Sequence, residues 1–304
     1  MLAGAAAVAA GLLVFYIFRR APSAVSGASP AGGVLRVVAA ENVWGSLAAQ
    51  IGGSRAQVVS FITDPNADPH EYESNTADAR AVAGADYVIE NGAGYDSWMN
   101  RLLGASPDPR RRTLDVASLL GAKNGDNPHF WYSPDDVNRA AAQMAQDFEA
   151  LDPAHAAYYE AQYRLLQASL AGYQARIADM KRQFGGTKVA ATEDIFSYLA
   201  AAAGLDLVSP PAFTHAIADG NDPPAASVVE FENQLKGGEV KLLVYNEQTV
   251  TPLADSMKRL AAAQGIPVVA VTEMIRPPGA SFEAWMEGQI AEMQSALGAK
   301  AAGQ

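Results

Sequence analysis

The sequence predicts an α/β protein of two lobes, each a mainly parallel sheet flanked by helices, joined by one long rigid helix. Three observations carry this. Short apolar runs alternate with helix-patterned segments from Val34 to about residue 150, and the same alternation restarts after Gly185-Gly186. Between the two, a single apolar stripe persists at helical spacing from Ala154 to Phe184. Strands that alternate with helices form parallel sheets, because each crossover helix covers a face of the sheet it spans.

In chain order, VLRVVAA reads as a buried strand and VWGSLAAQIGG as a helix closing on glycine. AQVVSFI is a strand, TADARAVAGA a helix, DYVIEN a strand and YDSWMNRLL a helical stretch. Ser133-Pro134 marks a helix start before DDVNRAAAQMAQDFEAL. The stripe then follows through Tyr159, Tyr163, Leu166, Leu170, Tyr173, Ile177, Met180 and Phe184, at spacings alternating between 4 and 3. At about 1.5 Å per residue this helix is roughly 45 Å long, enough to cross a whole domain. Tyrosines at the seam argue against a dimeric coiled coil. Beyond it, KVAAT, LDLVSP, VKLLVYN and IPVVAVT read as strands. The helices between and after them are DIFSYLAAAAG, AASVVEFENQLKGG, TPLADSMKRLAAAQG and SFEAWMEGQIAEMQSAL. The expected organisation is 34–150 for the first lobe, 151–186 for the connecting helix and 187–304 for the second lobe.

Residues 1–33 stand apart. The run from Leu2 to Phe18 is apolar, about the length of a signal core and slightly short for a bilayer span of roughly 20 residues. Ser26 and Ala28 suit cleavage after Ala28. Arg19 and Arg20 follow the apolar run instead of preceding it, which fits an uncleaved anchor as well. Either reading places the rest of the chain outside the cytoplasm.

Composition narrows the function. The chain has 304 residues, 49% of them hydrophobic, and a net charge of −11. That balance is unsuited to nucleic acid, whose phosphates need clustered Lys and Arg. The RRR run at 110–112 reads as a solvated turn. With no cysteine, disulfides, thiolate metal sites and a cysteine nucleophile are excluded, and any metal must be held by nitrogen and oxygen.

Ligands of an open parallel sheet bind beyond the carboxyl ends of its strands. His70, in DPNADPHEYES, follows VVSFI; Glu41, Glu193, Glu247 and Glu273 each follow a strand; His129 sits in NPHFWYSP. Each has an ordinary alternative. A glutamate in the first turn of a helix is stabilised by the helix dipole, with Thr192 or Thr272 as the cap. His155 opens a helix and His215 lies in a loop of alanine and threonine, so neither reads as a ligand. Taken together, two imidazoles from the first lobe and two carboxylates from the second suit a divalent first-row metal. Acidic neighbours of His70 would favour cation approach.

The order DPHEYE, NPHFWYSP, long helix, ATEDIFSYLAAAAGL, VTEMI resembles the metal-binding solute receptors of ABC importers, the zinc and manganese class, over roughly residues 34–298. The resemblance implies one metal buried between two lobes as cargo, with His70, His129, Glu193 and Glu273 as its ligands. Glu247 is disfavoured against Glu273, and Glu41 has no matching role. It also implies an exported monomer delivering its metal to a permease and its ATPase, without catalysis. The chain departs from zinc-selective members in lacking a histidine-rich loop within 101–127 and in having Glu193 where many carry histidine. Both features favour manganese somewhat, although zinc binds such donors at least as tightly.

Two other functions fit the residues less well. A zinc hydrolase needs an open coordination position and is often marked by His-Glu-x-x-His, which the chain lacks. A cleft for an organic ligand, walled by tyrosines and Trp131, is the third; GAGYD is too short for a nucleotide phosphate loop.

Overall fold

The computed structural model describes residues 33–64 and 72–302. Strand β1 (Leu35–Glu41) is buried along nearly its whole length, as a strand covered on both faces must be. It pairs in parallel with β2 (Ala56–Ile62) and β3 (Tyr87–Glu90), and β3 pairs with β4 (Arg112–Asp115), giving the order β2-β1-β3-β4. The second sheet has the order β6-β5-β7-β8, from β5 (Lys188–Ala191), β6 (Asp206–Leu207), β7 (Leu243–Asn246) and β8 (Val268–Val271), again parallel throughout. In both sheets the chain reverses its direction of growth after the second strand of the lobe. The crevices that bind ligands in such sheets therefore open between β1 and β3, and between β5 and β7.

In the first lobe the helices are α1 (Asn42–Gly52), α2 (Thr76–Gly84), α3 (Ser97–Ala105), α4 (Val116–Leu120) and α5 (Pro134–Leu151). Helix α6 (Ala156–Phe184) then runs 29 residues. The second lobe adds α7 (Ser197–Ala202), α8 (Pro211–Ala218), α9 (Ala225–Lys236), α10 (Pro252–Ala263) and α11 (Phe282–Ala302). Along α6, Tyr159, Leu166, Leu170, Tyr173, Ile177 and Met180 are buried, the stripe expected from spacing. It packs on α1 and α5 of one lobe and on α7 and α11 of the other. One hydrophobic cluster is consequently continuous from Leu35 and Val37 through Leu170 and Tyr173 to Val244 and Val271.

A second tie crosses directly between the lobes. Met274, just after β8, is fully buried in the first-lobe cluster of Val38, Ala40, Val88, Trp98 and Met99. Beside it the Ile275 amide donates to Asn42 Oδ1 at 3.1 Å, and the Phe282 amide to Ser46 Oγ at 3.1 Å.

Two sequence expectations change. Arg110 lies in a turn, paired with Asp108, but Arg112 opens β4 and pairs with Asp147 at 2.7 Å. His215 is in the last turn of α8, not in a loop. Pro210-Pro211 starts that helix, proline being well tolerated in a first turn.

Ser133 begins α5 as expected, its Oγ accepting from the Asp136 amide with Pro134 in the first turn. Replacing it by alanine is expected to cost about 1 kcal/mol, measured as a lower urea midpoint with an unchanged slope.

Candidate metal centre

His129 is held by its own loop. The Asn127 side-chain oxygen accepts from the His129 amide at 3.0 Å and lies 2.8 Å from ring Nδ1. An acceptor at that distance fixes the proton on Nδ1 and leaves the Nε2 lone pair unused, the tautomer a metal ligand needs. The Asn127 amide donates across the cleft to the Asp194 carbonyl at 2.7 Å. Asn91 donates to the Pro128 carbonyl at 3.0 Å, and Trp131 stands edge-on to the imidazole with ring centres 5.4 Å apart. The ring is 1% exposed, and Nε2 is buried without a hydrogen-bond partner.

The second lobe supplies carboxylates from either side of its crevice. Glu193 follows β5 in extended conformation, is buried, and leaves Oε1 without a hydrogen bond. It precedes the 3-10 turn Asp194–Phe196 without a side-chain capping hydrogen bond. Glu273 follows β8 and is also buried, with Oε2 3.9 Å from His129 Nε2. Asn246, ending β7, donates to Glu273 Oε1 at 2.6 Å. Tyr95 donates to Oε2 from the first lobe.

Electrostatics follow from burial. Glu193 is pushed up to about 8, first by desolvation and then by the Glu273 charge, against the pull of His129, Asn246 and Thr249. Burial alone would lower the His129 pKa; Asp194, Glu273 and Glu193 outweigh it and raise it. A proton bound among these groups is one that an arriving cation replaces.

Of the four residues proposed from sequence, the structure brings His129, Glu193 and Glu273 together. His70 lies outside the described residues. Among the described residues, no three His, Asp or Glu side chains form a set able to hold a metal. Glu247 instead pairs with Arg276 nearer the surface. Glu41 belongs to a buried acidic trio with Glu90 and Asp96 under the first-lobe crevice. Burial, followed by the Asp96 charge, holds Glu41 well above the ordinary carboxylate range and Glu90 at about 8. His155 is paired with Asp152 at 2.8 Å, a structural role.

Sequence reasoning missed the residues that hold the candidate ligands. Asn127 stands two positions before the histidine in NPH, and that spacing permits the turn seen here. Tyr95 lies in GAGYD, discarded as a phosphate loop. Gly92, Ala93 and Gly94 there have φ of 75°, 55° and 92°, three successive left-handed residues that lead the chain into Tyr95. A Cβ on Gly92 would stand 2.3 Å from Asp115 Oδ1, so glycine is required twice over. Tyr95→Phe should weaken metal binding roughly tenfold, the lower end of what losing a group that orients a ligand costs, with Tm of the metal-free protein little changed.

A cleft of 730 Å³ leads to this centre, lined by Tyr95, His129, Asp194, His215, Asp219 and Thr249 among others.

Buried imidazole and carboxylate donors from opposite lobes, over a two-sheet parallel fold, invite comparison with known proteins. The family described as zinc-uptake complex component A, periplasmic, matches residues 37–296. The chain belongs to this family. The match spans both lobes. The manganese-binding lipoprotein MntA of Halalkalibacterium halodurans is 28% identical over 60% of this chain and 62% of its own length. The metal ABC transporter substrate-binding lipoprotein FimA of Streptococcus parasanguinis is 25% identical over 49% of this chain and 52% of its own. The chain thus spans between half and two thirds of the length of these curated relatives. The fold extends further. FpvC of Pseudomonas aeruginosa, in complex with Mn2+, superimposes with a TM-score of 0.71 over 87% of this chain and 98% of that one, at 22% identity. The periplasmic zinc-binding protein TroA of Treponema pallidum gives 0.72 over 88% and 99%, at 14% identity. This family is one of substrate-binding transport proteins rather than enzymes.

Proposed function

We propose that the protein is the extracytoplasmic substrate-binding component of an ABC importer. It captures one divalent transition metal, zinc or manganese, between its lobes and delivers it to a permease driven by an ATPase. His70, His129, Glu193 and Glu273 are the ligands in this reading, two nitrogens and two carboxylates. The observation that carries it is the pair of buried, unpartnered donor atoms, His129 Nε2 and Glu193 Oε1, beside Glu273. Burying polar atoms unsatisfied costs free energy, and a bound cation is what repays them at once.

The protein works as a monomer with the lobe boundaries given by residues 150/151 and 186/187, and performs no reaction. In this reading four protein donors close the shell, whereas hydrolysis needs an open position for water. It acts in the periplasm, cleaved or anchored through residues 2–18. Among the described residues no helix is long and apolar enough to cross a membrane.

Calorimetric titration of the metal-stripped protein with zinc and with manganese tests this. One tight site per chain, lost in His70→Ala and weakened in Glu273→Gln, is the expected result. Failure of both metals to bind wild type at one to one would overturn it and return the cleft to an organic ligand.

A further inference from the structure

Glu273 is gripped from three directions by neighbours that are not themselves candidate ligands. Gln248 Oε1 accepts from the Glu273 and Met274 amides, which fixes the main chain. Tyr95 donates to Oε2, and Asn246 Nδ2 donates to Oε1 at 2.6 Å. The Asn246 side chain is 2% exposed and cannot be turned over. Its Oδ1 accepts from the Gln248 amide at 3.0 Å, so its N–H groups must face the carboxylates.

Asn246 Nδ2 also reaches Thr249 Oγ1 at 3.0 Å. Thr249, having accepted there, has its own proton to donate, and hydrogen bonds from both Thr249 and Asn246 act on Glu193. Glu193 Oε1 takes no part in them and stays without a partner. One buried amide and the threonine beside it therefore occupy one oxygen of each carboxylate and leave the other for a cation. On Glu273 the remaining oxygen is Oε2, the one 3.9 Å from His129 Nε2. Tyr95 uses one lone pair of that oxygen and leaves the second.

The consequence is a count of donors. A carboxylate can bind a cation through one oxygen or through both. Held as they are, Glu193 and Glu273 supply one oxygen each, and with the two imidazoles of the proposed function the total is four. Four nitrogen and oxygen donors suit zinc, which takes a closed tetrahedral set, whereas manganese favours six-coordinate, oxygen-rich surroundings. To reach six here, both carboxylates would have to bind through both oxygens. Each would then surrender the hydrogen bonds that Asn246 and Thr249 now supply, leaving a buried amide donor unsatisfied.

We infer that Asn246 determines the metal specificity of the buried centre, restricting each carboxylate to one oxygen and so selecting zinc over manganese. The ligand set is that of the proposed function, on which this assignment rests; the choice of metal is what it adds. Asn246 is a positioning residue, touching the ligands and not the cation. Glu193 in place of histidine does not by itself make this a manganese site, because only one of its oxygens is on offer.

Two readouts test it. Zinc and manganese are titrated calorimetrically into metal-stripped wild type, Asn246→Leu and Thr249→Val, and the zinc-loaded proteins are measured by X-ray absorption at the zinc edge. Wild type should bind zinc at one to one and manganese more weakly, with four nitrogen and oxygen neighbours around the zinc. Leucine keeps the branched shape of asparagine and removes the donor. In Asn246→Leu zinc affinity should fall about tenfold while manganese affinity holds or rises. The preference for zinc then narrows by about tenfold, and the zinc gains a fifth neighbour. Thr249→Val, which releases only Glu193, should narrow the preference by a smaller factor, and it carries the test if Asn246→Leu fails to fold. Equal weakening of both metals in the folded variants would show that these side chains merely support the loop, and overturns the inference. Five or more neighbours around zinc in wild type overturns it too, since a carboxylate would then already bind through both oxygens. If neither metal binds wild type at one to one, the proposed function falls and this assignment with it.

Discussion

His129→Ala is expected to abolish high-affinity metal binding, lowering affinity by roughly a thousandfold or more. Two losses combine. The metal loses a nitrogen donor, and Glu193 and Glu273 lose the imidazole that offsets their mutual repulsion. The second loss acts through proton competition, since without the imidazole Glu193 holds more firmly the proton that the metal must displace. A thousandfold loss corresponds to about 4 kcal/mol. Calorimetry with zinc checks it. A loss smaller than tenfold would show that His129 is a wall of the cleft and not a ligand. The variant protein should also bind a proton more firmly at Glu193, which a shift of the binding optimum to higher pH would reveal.

Metal-free protein should lose stability as pH rises from about 5 to 8, and metal-loaded protein should lose less. The sign follows from Glu193, held at about 8 in the folded chain and near the ordinary carboxylate value when unfolded. Between those values the folded state keeps a proton that the unfolded state has lost, so the unfolded state is favoured as pH increases. Glu90, also at about 8, and Glu41, held well above the ordinary carboxylate range, act in the same direction. Each protonated group contributes at most about 1.4 kcal/mol per pH unit. Differential scanning calorimetry of the stripped protein should therefore show Tm falling by several degrees over this interval. With saturating zinc the Glu193 proton is displaced, and its share of the slope disappears while that of Glu41 and Glu90 remains. Binding should accordingly release protons, and measured affinity should climb with pH until about 8. A Tm that rises over the same interval without metal would show that Glu193 is ionised in the empty cleft.

Much of the frame is written in local pattern. The α6 stripe was readable because a 3–4 spacing sustained over so many residues has only one folded solution, and Ser133-Pro134 because a capping residue before proline defines a helix start. Glu193 and Glu273 were readable as strand-end residues, since burial of a whole parallel sheet leaves its carboxyl edge as the place for polar chemistry. What escaped has a common physical cause. Strand β4, RTLD, contains a single fully apolar residue and is defined by its partner β3 rather than by its own periodicity. Helix α8 is too short for spacing to declare it, and with it went the placement of His215 on a helical face. Asn127, Tyr95 and Asn246 are uncharged polar residues whose roles come from partners between 2 and 178 positions away. Distance in space assigns those roles, and no pattern within a short window contains it.

Met274 gives the cleft a resistance to opening that its ligands alone would not. The side chain next to Glu273 is embedded in the core of the opposite lobe, so Glu273 cannot swing away unless a methionine is withdrawn from among Val38, Val88 and Trp98. Exposing a buried side chain of that size costs roughly 1.5–3 kcal/mol. On the proposed reading, such a cost divides the spontaneous escape rate of a bound metal by about ten to a hundred and fifty. Release is then coupled to withdrawal of Met274 from the opposite lobe, and not to coordination strength alone.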